Sequence, residues 1–398
     1  MIEIKPAIAY GERCPQCGRE LLPDGVLWQG IHVCAMAHCP GCGAEIIGDL
    51  PVGAALYFPY QVERKRRLLF GSPLAREWLG EPFLESLLHP RDAAIGLEIE
   101  VRAKRRKILI LNCIDYLYGH SLLKLLNAER HLRDAKLGLV LVLPRFLRWM
   151  VPAGVAEVWL VDLPLSQARN FHPDLDRRIQ VECARFDEVQ VSPAWSHPWD
   201  FDISNFTGVP KHDFADPRFR ITFVWREDRM WCRSPPGIEL IRSGPGGRRI
   251  LLEWQRRKVL RIFAALRQKF PSALFTVAGL GRATRFPRWI EDLRVARFDD
   301  EAERRSCQTY SESRLVIGVH GSSMLLPSGH AGLTIDLMPD DRWANFGQDI
   351  LYQEQDPRLA SYRYRFLPIG SDIGEVARCA AEQLAGHQYF REQMLHRG

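Results

Sequence analysis

The sequence predicts an α/β protein with two doubly wound sheets and a small cysteine-rich module in front of them. From residue 107 onward, short apolar runs alternate with stretches of helical periodicity, which is typical of parallel strands joined by helices. Two Cys-x-x-Cys pairs lie in the first 42 residues, before this alternation begins. A stretch without regular periodicity interrupts the alternation at residues 192–219. We therefore expect a cysteine-rich module at 1–60, a connector at 61–106, α/β domains at 107–215 and 216–370, and a closing helix at 371–398.

Composition places the chain among ordinary globular proteins. Of its 398 residues, 46% are hydrophobic and 26% are charged, and the apolar runs are too short to span a bilayer. The first residues lack the basic start and the long apolar run of a signal peptide. Five of the ten cysteines precede residue 43, which favours metal binding in a reducing compartment over a disulfide framework. We expect a cytoplasmic protein without a membrane span.

The two cysteine pairs predict a zinc ribbon. Cys14 and Cys17 form the first pair, Cys39 and Cys42 form the second, and 21 residues separate them. Two thiolates separated by two residues can bind one metal ion, and two such pairs complete a tetrahedron around zinc. All four ligands then come from the protein, so the metal is expected to be structural. Three further residues in this module remain alternatives for one of the four ligands: His32, Cys34 and His38.

The first α/β domain begins with an apolar strand pattern at Lys107–Asn112 and a helical pattern at Ser121–Leu132. The loop between them ends in Gly119-His120 and contains Asp115. In a doubly wound sheet, ligands bind beyond the carboxyl ends of the strands. Asp115 and His120 are therefore candidate site residues, although His120 could also serve only as a helix cap.

The second domain repeats this arrangement in a more basic context. Its first strand pattern, Arg220–Trp225, leads directly into Arg226 and Arg229, and a strand pattern at Leu274–Ala278 leads into Arg282. Asp216–Arg314 contains 22 Lys and Arg against 12 Asp and Glu. This local excess suits an anionic small ligand or nucleic acid, and the arginines could also lie in charged surface turns.

The most informative stretch of this domain is a strand, a tight turn, a helix and a second strand. Leu315 to Val319 is an apolar run, which His320-Gly321-Ser322-Ser323 ends. We expect a helix from about Ser323 through Ala331 and a strand at Leu333–Met338 that contains Asp336. The turn offers backbone N–H groups that favour phosphate, unless it merely caps the helix.

The Val319-His320-Gly321 turn, the αβ rhythm around it and Gly119-His120 resemble the two-domain (GT-B type) glycosyltransferases. In some of these enzymes, such as the group that includes plant xylan transferases and the EGF-domain O-GlcNAc transferases, a similar turn faces the sugar nucleotide. The resemblance implies that both domains are Rossmann-like and that the second binds a nucleoside-diphosphate sugar. It implies a donor site made of an arginine after the first strand, the turn and the acidic residue of the next strand, with an arginine at a neighbouring strand end as a further candidate. The candidate residues are Arg226 or Arg229, His320, Gly321, Ser322, Ser323 and Asp336, with Arg282.

The resemblance also implies an inverting reaction that needs no divalent ion. His120 or Asp115 would take the proton of an acceptor hydroxyl on a glycan or protein, because a group with a pKa near neutrality suits this task. The alternative is a non-enzymatic zinc-ribbon protein that binds nucleic acid or a sugar nucleotide. Nucleic acid is the less favoured ligand, because the special residues cluster at strand ends rather than along one basic aromatic surface.

Overall fold

A computed structural model describes residues 1–133, 136–194, 197–232, 239, 241 and 243–395. The chain divides into two compact units, Met1–Phe201 and Asp202–Gly398. Both units contain a sheet with parallel strands and packed helices, so the predicted α/β class is confirmed.

The described part of the first unit contains strands β1 (Ile2–Lys5), β2 (Leu22–Gln29), β3 (His32–His38), β4 (Glu45–Asp49), β5 (Tyr60–Glu63), β6 (Leu68–Gly71), β7 (Leu97–Val101), β8 (Lys107–Asn112), β9 (Gly138–Pro144), β10 (Glu157–Val161) and β11 (Glu188–Val191). Its helices are α1 (Pro73–Ala75), a π-helical turn at Arg76–Gly80, α2 (Glu81–Leu88), α3 (Tyr118–Leu126), α4 (Ala128–Leu132) and α5 (Pro173–Ala184), with 3₁₀ turns at Gly53–Leu56, Arg145–Met150 and Leu165–Gln167.

The main sheet of this unit has the strand order β1-β11-β8-β9-β10-β7. The four central strands are parallel. Strands β8, β9 and β10 read as apolar runs because both of their faces are covered, whereas β11 alternates between buried and partly exposed residues. The two outer strands are antiparallel. Neither outer strand was predicted, because β1 lies before the cysteine pairs and β7 lies in the expected connector.

A second sheet of the first unit carries the cysteine pairs. It is antiparallel and contains β2 to β6 in chain order. The second cysteine pair lies in the turn between β3 and β4, and the first pair lies just before β2. The β5–β6 hairpin continues this sheet past residue 60 as far as Gly71.

The described part of the second unit contains strands β12 (Arg220–Arg226), β13 (Leu274–Leu280), β14 (Ile290–Val295), β15 (Ser313–Val319), β16 (Leu333–Met338) and β17 (Tyr364–Pro368). Its helices are α6 (Ser204–Thr207), α7 (Pro245–Lys269), α8 (Asp300–Ser311), α9 (Leu325–His330), α10 (Pro357–Arg363) and α11 (Ile373–Leu395), with 3₁₀ turns at Ser322–Met324 and Trp343–Asn345.

All six strands of the second sheet are parallel, in the order β14-β13-β12-β15-β16-β17. Numbered within the unit, this is 3-2-1-4-5-6, the order of the dinucleotide-binding doubly wound fold. Helices α7 and α11 pack together on one face, where Phe223 and Ile317 meet Phe263. Helices α8 and α9 cover the other face, which includes Val316 and Tyr310.

Two local expectations differ from the structure. The three glycines within residues 242–249 predict a loop, but α7 begins at Pro245; Arg242 lies outside the described residues. Proline at the first helical position costs no hydrogen bond, which explains the early start. The helix expected from Ser323 to Ala331 is a 3₁₀ turn at Ser322–Met324 followed by the six-residue helix α9.

Candidate functional site

The four predicted cysteines form one cluster near the N-terminus. The sulfur atoms of Cys14, Cys17, Cys39 and Cys42 all lie within 4.8 Å of one another. The Cys14 and Cys42 sulfurs are 3.6 Å apart, and those of Cys17 and Cys39 are 3.3 Å apart. A tetrahedron with metal–sulfur bonds of about 2.3 Å has edges of about 3.8 Å. The donor set and its spacing therefore fit a metal ion such as zinc, and the predicted cluster is confirmed.

The two knuckles have the same backbone design. Gly18 donates its N–H to the Cys14 carbonyl oxygen at 2.9 Å, and Gly43 donates to Cys39 at the same distance. Both glycines have positive φ angles, 75° and 70°, which residues with a Cβ rarely adopt. Although burial opposes the shift, N–H groups of Cys42 and Gly41 lower the pKa of Cys39 to about 6, whereas the Ala44 N–H is outweighed by burial and the neighbouring sulfurs, which raise the pKa of Cys42 to about 12. Before a metal ion binds, the thiolate is therefore favoured at Cys39 and not at Cys42.

The alternative ligands have other partners. His32 Nδ1 lies 2.5 Å from Asp49 Oδ2 in a buried pair, and the Cys34 thiol donates to the same carboxylate at 3.7 Å. His38 Nδ1 lies 2.8 Å from the exposed carboxylate of Asp24. In the described part of the chain, the four-cysteine set is the group with metal-ligand spacing.

In the first unit, the loop after β8 brings Asp115 and His120 together. His120 Nδ1 lies 3.4 Å from Asp115 Oδ1, and the Lys124 ammonium lies 2.9 Å from Asp115 Oδ2. Burial opposes ionisation of Asp115, but Lys124 and His120 hold its pKa below the usual range. A carboxylate held in this way is a weak base, so it can orient the imidazole. The His120 side chain is about one-third exposed and remains accessible.

Asp162 directly follows β10, and the sequence allows it to pair with His120. The structure pairs it instead with the Arg145 guanidinium, at 2.6 and 3.2 Å. Arg145 also binds Glu98 of the edge strand β7 at 2.8 Å. Asp162 therefore belongs to a surface ion-pair network.

In the second unit, two predicted segments meet at the reversal of the strand order. The first strand, β12, lies between β13 and β15, so the chain leaves the sheet in opposite directions on its two sides. The Arg226–Arg229 loop follows β12, and the His320–Ser323 turn follows β15. In open α/β sheets this position, beyond the carboxyl ends of the strands, is where ligands bind.

Arg229 links these two segments directly. Its Nη1 donates to the His320 carbonyl oxygen at 3.3 Å, and its guanidinium lies against Gly321. Gly321 has a φ of 145°, and a Cβ built there would lie 1.8 Å from Arg229 Nη1. The glycine therefore gives this exposed guanidinium its place over the turn.

The other two arginines are held in different ways. Arg226 makes a bidentate ion pair with Asp228 in its own loop, at 2.7 and 2.5 Å. Arg282, at the end of β13, donates to the carbonyl oxygen of Arg294 at 2.5 Å. Arg229 thus contacts the His320 turn, whereas Arg226 contacts Asp228 and Arg282 contacts the Arg294 backbone.

The imidazole of His320 bridges two carboxylates. Its Nδ1 lies 2.9 Å from Asp336 Oδ2, and its Nε2 lies 3.2 Å from Asp349 Oδ2. Both nitrogens can donate only when the ring is doubly protonated; otherwise one carboxylate must carry the proton. Burial raises the pKa of Asp336, although the His320 hydrogen bond opposes the shift. The ring is only 3% exposed, so His320 positions its neighbours.

Two polar atoms near this turn lack partners among the described residues. They are Asp336 Oδ1 and Ser323 Oγ, and both are buried. Ser322 opens the 3₁₀ turn and is partly exposed. The six-residue helix α9 supplies little macrodipole, and Arg229 is the exposed cation that contacts the turn directly.

Sequence analysis did not find Asp349. It lies 29 positions after His320, in a loop without periodicity. Its place after β16, at the carboxyl edge of the sheet, is the one signal that could have drawn attention to it.

Within the described residues, no helix combines the length and apolar character that crossing a bilayer requires. No protein-family model matches the chain, and neither curated proteins nor solved structures gave a significant match.

Proposed function

We propose that this chain is a glycosyltransferase that takes its sugar from a nucleoside diphosphate and transfers it to a hydroxyl group of a glycan or protein acceptor. The observation that carries the proposal is the exposed Arg229 guanidinium over the Gly321 turn, at the reversal of a 3-2-1-4-5-6 sheet. The resemblance of the Val319-His320-Gly321 turn to GT-B type enzymes supports the choice of ligand.

The diphosphate would bind at the carboxyl edge of the second sheet. A planar guanidinium can bind two phosphate oxygens at once, and Arg229 is exposed and directed by its bond to the turn. Backbone groups of Ser322 and Ser323 would complete this contact. Arg226 would take part if phosphate displaced Asp228, and Arg282 would add positive charge from the neighbouring strand end.

The chemistry is a single displacement with inversion at the anomeric carbon. His120 removes the proton of the acceptor hydroxyl as its oxygen forms the new bond to the anomeric carbon. The bond from that carbon to the diphosphate oxygen breaks, and its electron pair leaves with the diphosphate. Arg229 would stabilise this developing charge. Asp115 orients the imidazole because its ion pair with Lys124 keeps it ionised.

The metal in the N-terminal cluster would be zinc with a structural role. Four cysteine thiolates are a typical zinc ligand set, and a site closed by four protein ligands has no open position for a substrate. His32, Cys34 and His38 stay outside the ligand set.

Two variants separate nucleotide binding from chemistry. We expect Arg229→Ala to weaken UDP or GDP binding about tenfold or more, with little change for the nucleosides, because a charge-assisted contact contributes about 1.5–3 kcal/mol. We expect His120→Ala to retain this binding and to lower the turnover of UDP-glucose or GDP-mannose about 10²–10⁴-fold. Calorimetry measures the first effect, and release of UDP or GDP measures the second.

Two controls match these variants. Arg261→Ala removes an exposed positive charge from α7, and His89→Ala removes an exposed imidazole after α2. Equal loss of diphosphate and nucleoside affinity in Arg229→Ala would make the arginine structural. Tight, strongly salt-dependent binding of nucleic acid without diphosphate binding would favour the non-enzymatic alternative.

A further inference from the structure

The loop after β16 combines exposed aromatic rings with an oriented carboxylate. Residues 339–352 leave the carboxyl edge of the second sheet and include Trp343, Phe346, Asp349 and Tyr352. Trp343 is 41% exposed and Phe346 is 54% exposed. Aromatic rings and a carboxylate on one short loop suit a ligand with both apolar and hydrogen-bonding groups.

The Asp349 carboxylate is held in place by its contact with the buried His320 ring. Asp349 Oδ2 lies 3.2 Å from His320 Nε2, and the opposite nitrogen of the same ring lies 2.9 Å from the fully buried Asp336. These two contacts set the orientation of the Asp349 side chain, which is 20% exposed. Its second oxygen is thus directed by the fold and can accept hydrogen bonds from a ligand.

The aromatic rings are also held in place. The Trp343 and Phe346 rings are nearly parallel, with 13° between their planes and centroids 6.3 Å apart. Phe346 packs on Phe366 of β17 with centroids 4.1 Å apart. Leu351 donates its N–H to Ser328 Oγ at 2.9 Å, which ties the end of the loop to α9. The rings therefore form a supported platform.

We propose that this loop, named here the sugar loop (residues 339–352), binds the sugar of the nucleotide sugar and selects a neutral or amino sugar over a uronic acid. This inference rests on the proposed function. A hexose has an apolar C–H face that packs on an aromatic ring and hydroxyl groups that donate to a carboxylate. The sugar loop contains three carboxylates and one arginine, so it disfavours an anionic sugar.

The experiment compares ligands that differ only in the sugar. Calorimetry would give the affinity of UDP, UDP-glucose and UDP-glucuronate, and of GDP, GDP-mannose and GDP-mannuronate. We expect Asp349→Asn to weaken binding of the neutral sugar nucleotide about tenfold and to leave the diphosphate unchanged within twofold. In this variant, the ratio between the affinities for the neutral sugar nucleotide and for the uronate should be smaller than in the wild type.

A second variant and two controls complete the test. Trp343→Ala should also weaken the sugar nucleotide selectively, because it removes part of the platform. Asp341→Asn changes an exposed carboxylate of the same loop that pairs with Arg342, and Tyr389→Ala removes an exposed ring from α11. Neither control should change the affinity for the diphosphates or for the neutral sugar nucleotides.

The possible results separate this inference from the proposed function. If Asp349→Asn or Trp343→Ala weakens the diphosphate as much as the sugar nucleotide, the loop does not bind the sugar and the inference is refuted. Loss of nucleoside binding in Trp343→Ala would assign the platform to the base and would also refute it. Binding of neither UDP nor GDP to the wild type would refute the proposed function itself.

Discussion

Gly321→Ala tests whether the turn serves the ligand through Arg229. Gly321 has φ 145° and ψ 168°, a region that is essentially restricted to glycine and costs other residues about 1–3 kcal/mol. The new Cβ would lie 1.8 Å from Arg229 Nη1 and 2.6 Å from its Cζ. Since these atoms are the tip of a flexible side chain, the guanidinium should move away while the turn survives.

The structure sets the size of both effects. Strain of about 1–3 kcal/mol in a unit of about 200 residues lowers the melting temperature by roughly 2–12 °C. Displacing the guanidinium removes a charge-assisted contact of about 1.5–3 kcal/mol, which is about a tenfold to hundredfold loss of UDP or GDP affinity. The variant should thus remain folded at 25 °C and bind diphosphate poorly.

A double-mutant cycle provides the assay. Calorimetric affinities for UDP or GDP would be measured for Gly321→Ala, Arg229→Ala and the double variant. We expect the double variant to bind no worse than Arg229→Ala, because both changes remove the same contact. Gly246→Ala is the control, since a Cβ there meets nothing within 4 Å. If Gly321→Ala lowered the affinity for UDP or GDP as much in the Arg229→Ala variant as in the wild type, the role given to the guanidinium would be refuted.

Two further predictions concern stability. Elemental analysis should find one zinc per chain. Cys39→Ser should remove the zinc and lower the melting temperature of the first unit, and Cys379→Ser is the control. A wild-type protein that is fully folded without metal would contradict the prediction. Burial lowers the pKa of His387 to about 4, so the neutral form is favoured in the folded state. The neutral imidazole therefore contributes to the free energy of unfolding. Its contribution is complete above the unfolded pKa of about 6.5 and is lost as pH falls toward 4, by roughly 2–3 kcal/mol at pH 4.5. His387→Phe, which can keep the stacking on Phe214, should flatten the decline in melting temperature between pH 7 and 4.5; an equal decline in both proteins would refute this assignment.

The Cys39→Ser prediction reflects a difference between the expected module and the observed packing. The sequence predicts that the cysteine-rich segment can loosen while the α/β domains, which have their own cores, stay folded. Instead, Val33 and Ile46 of the antiparallel sheet share one hydrophobic cluster with Ile110 and Trp159 of the main sheet. Loss of the metal should therefore weaken the whole first unit, while the second unit has a separate core.

Features set by local spacing could be predicted from the sequence. Two residues between paired cysteines, with a glycine after each pair, determine a metal-binding knuckle almost without reference to the rest of the chain. The apolar runs of β8, β12 and β15 likewise mark where strands end, and those ends place His120, Arg229 and Gly321 at sheet edges. These inferences need only the strand period and the rule that ligands bind at carboxyl ends.

Features set by packing between distant segments could not be predicted. Nothing in the apolar run of β12 shows that it lies between β13 and β15, because strand order depends on how helices pack on both faces. The sequence shows Arg226 and Asp228 in one turn but does not show that they pair. Their ion pair makes Arg226 a weaker candidate for binding the diphosphate. Asp349 has no local pattern at all, since its role depends on a histidine 29 residues away.

His320 connects the two halves of the proposed ligand site. Its carbonyl oxygen accepts from Arg229, and its imidazole contacts Asp349. In the proposed site, one residue thus orients both the cation that would bind the diphosphate and the carboxylate that would bind the sugar, although its own ring is buried. A substitution of His320 would remove the imidazole contacts to Asp349 and Asp336 together, while the backbone carbonyl that Arg229 contacts would stay. It could therefore not assign the sugar contact to Asp349 alone. Arg229→Ala and Asp349→Asn each change one contact, and their effects on UDP and UDP-glucose should therefore differ: the first weakens both ligands, and the second weakens only the sugar nucleotide.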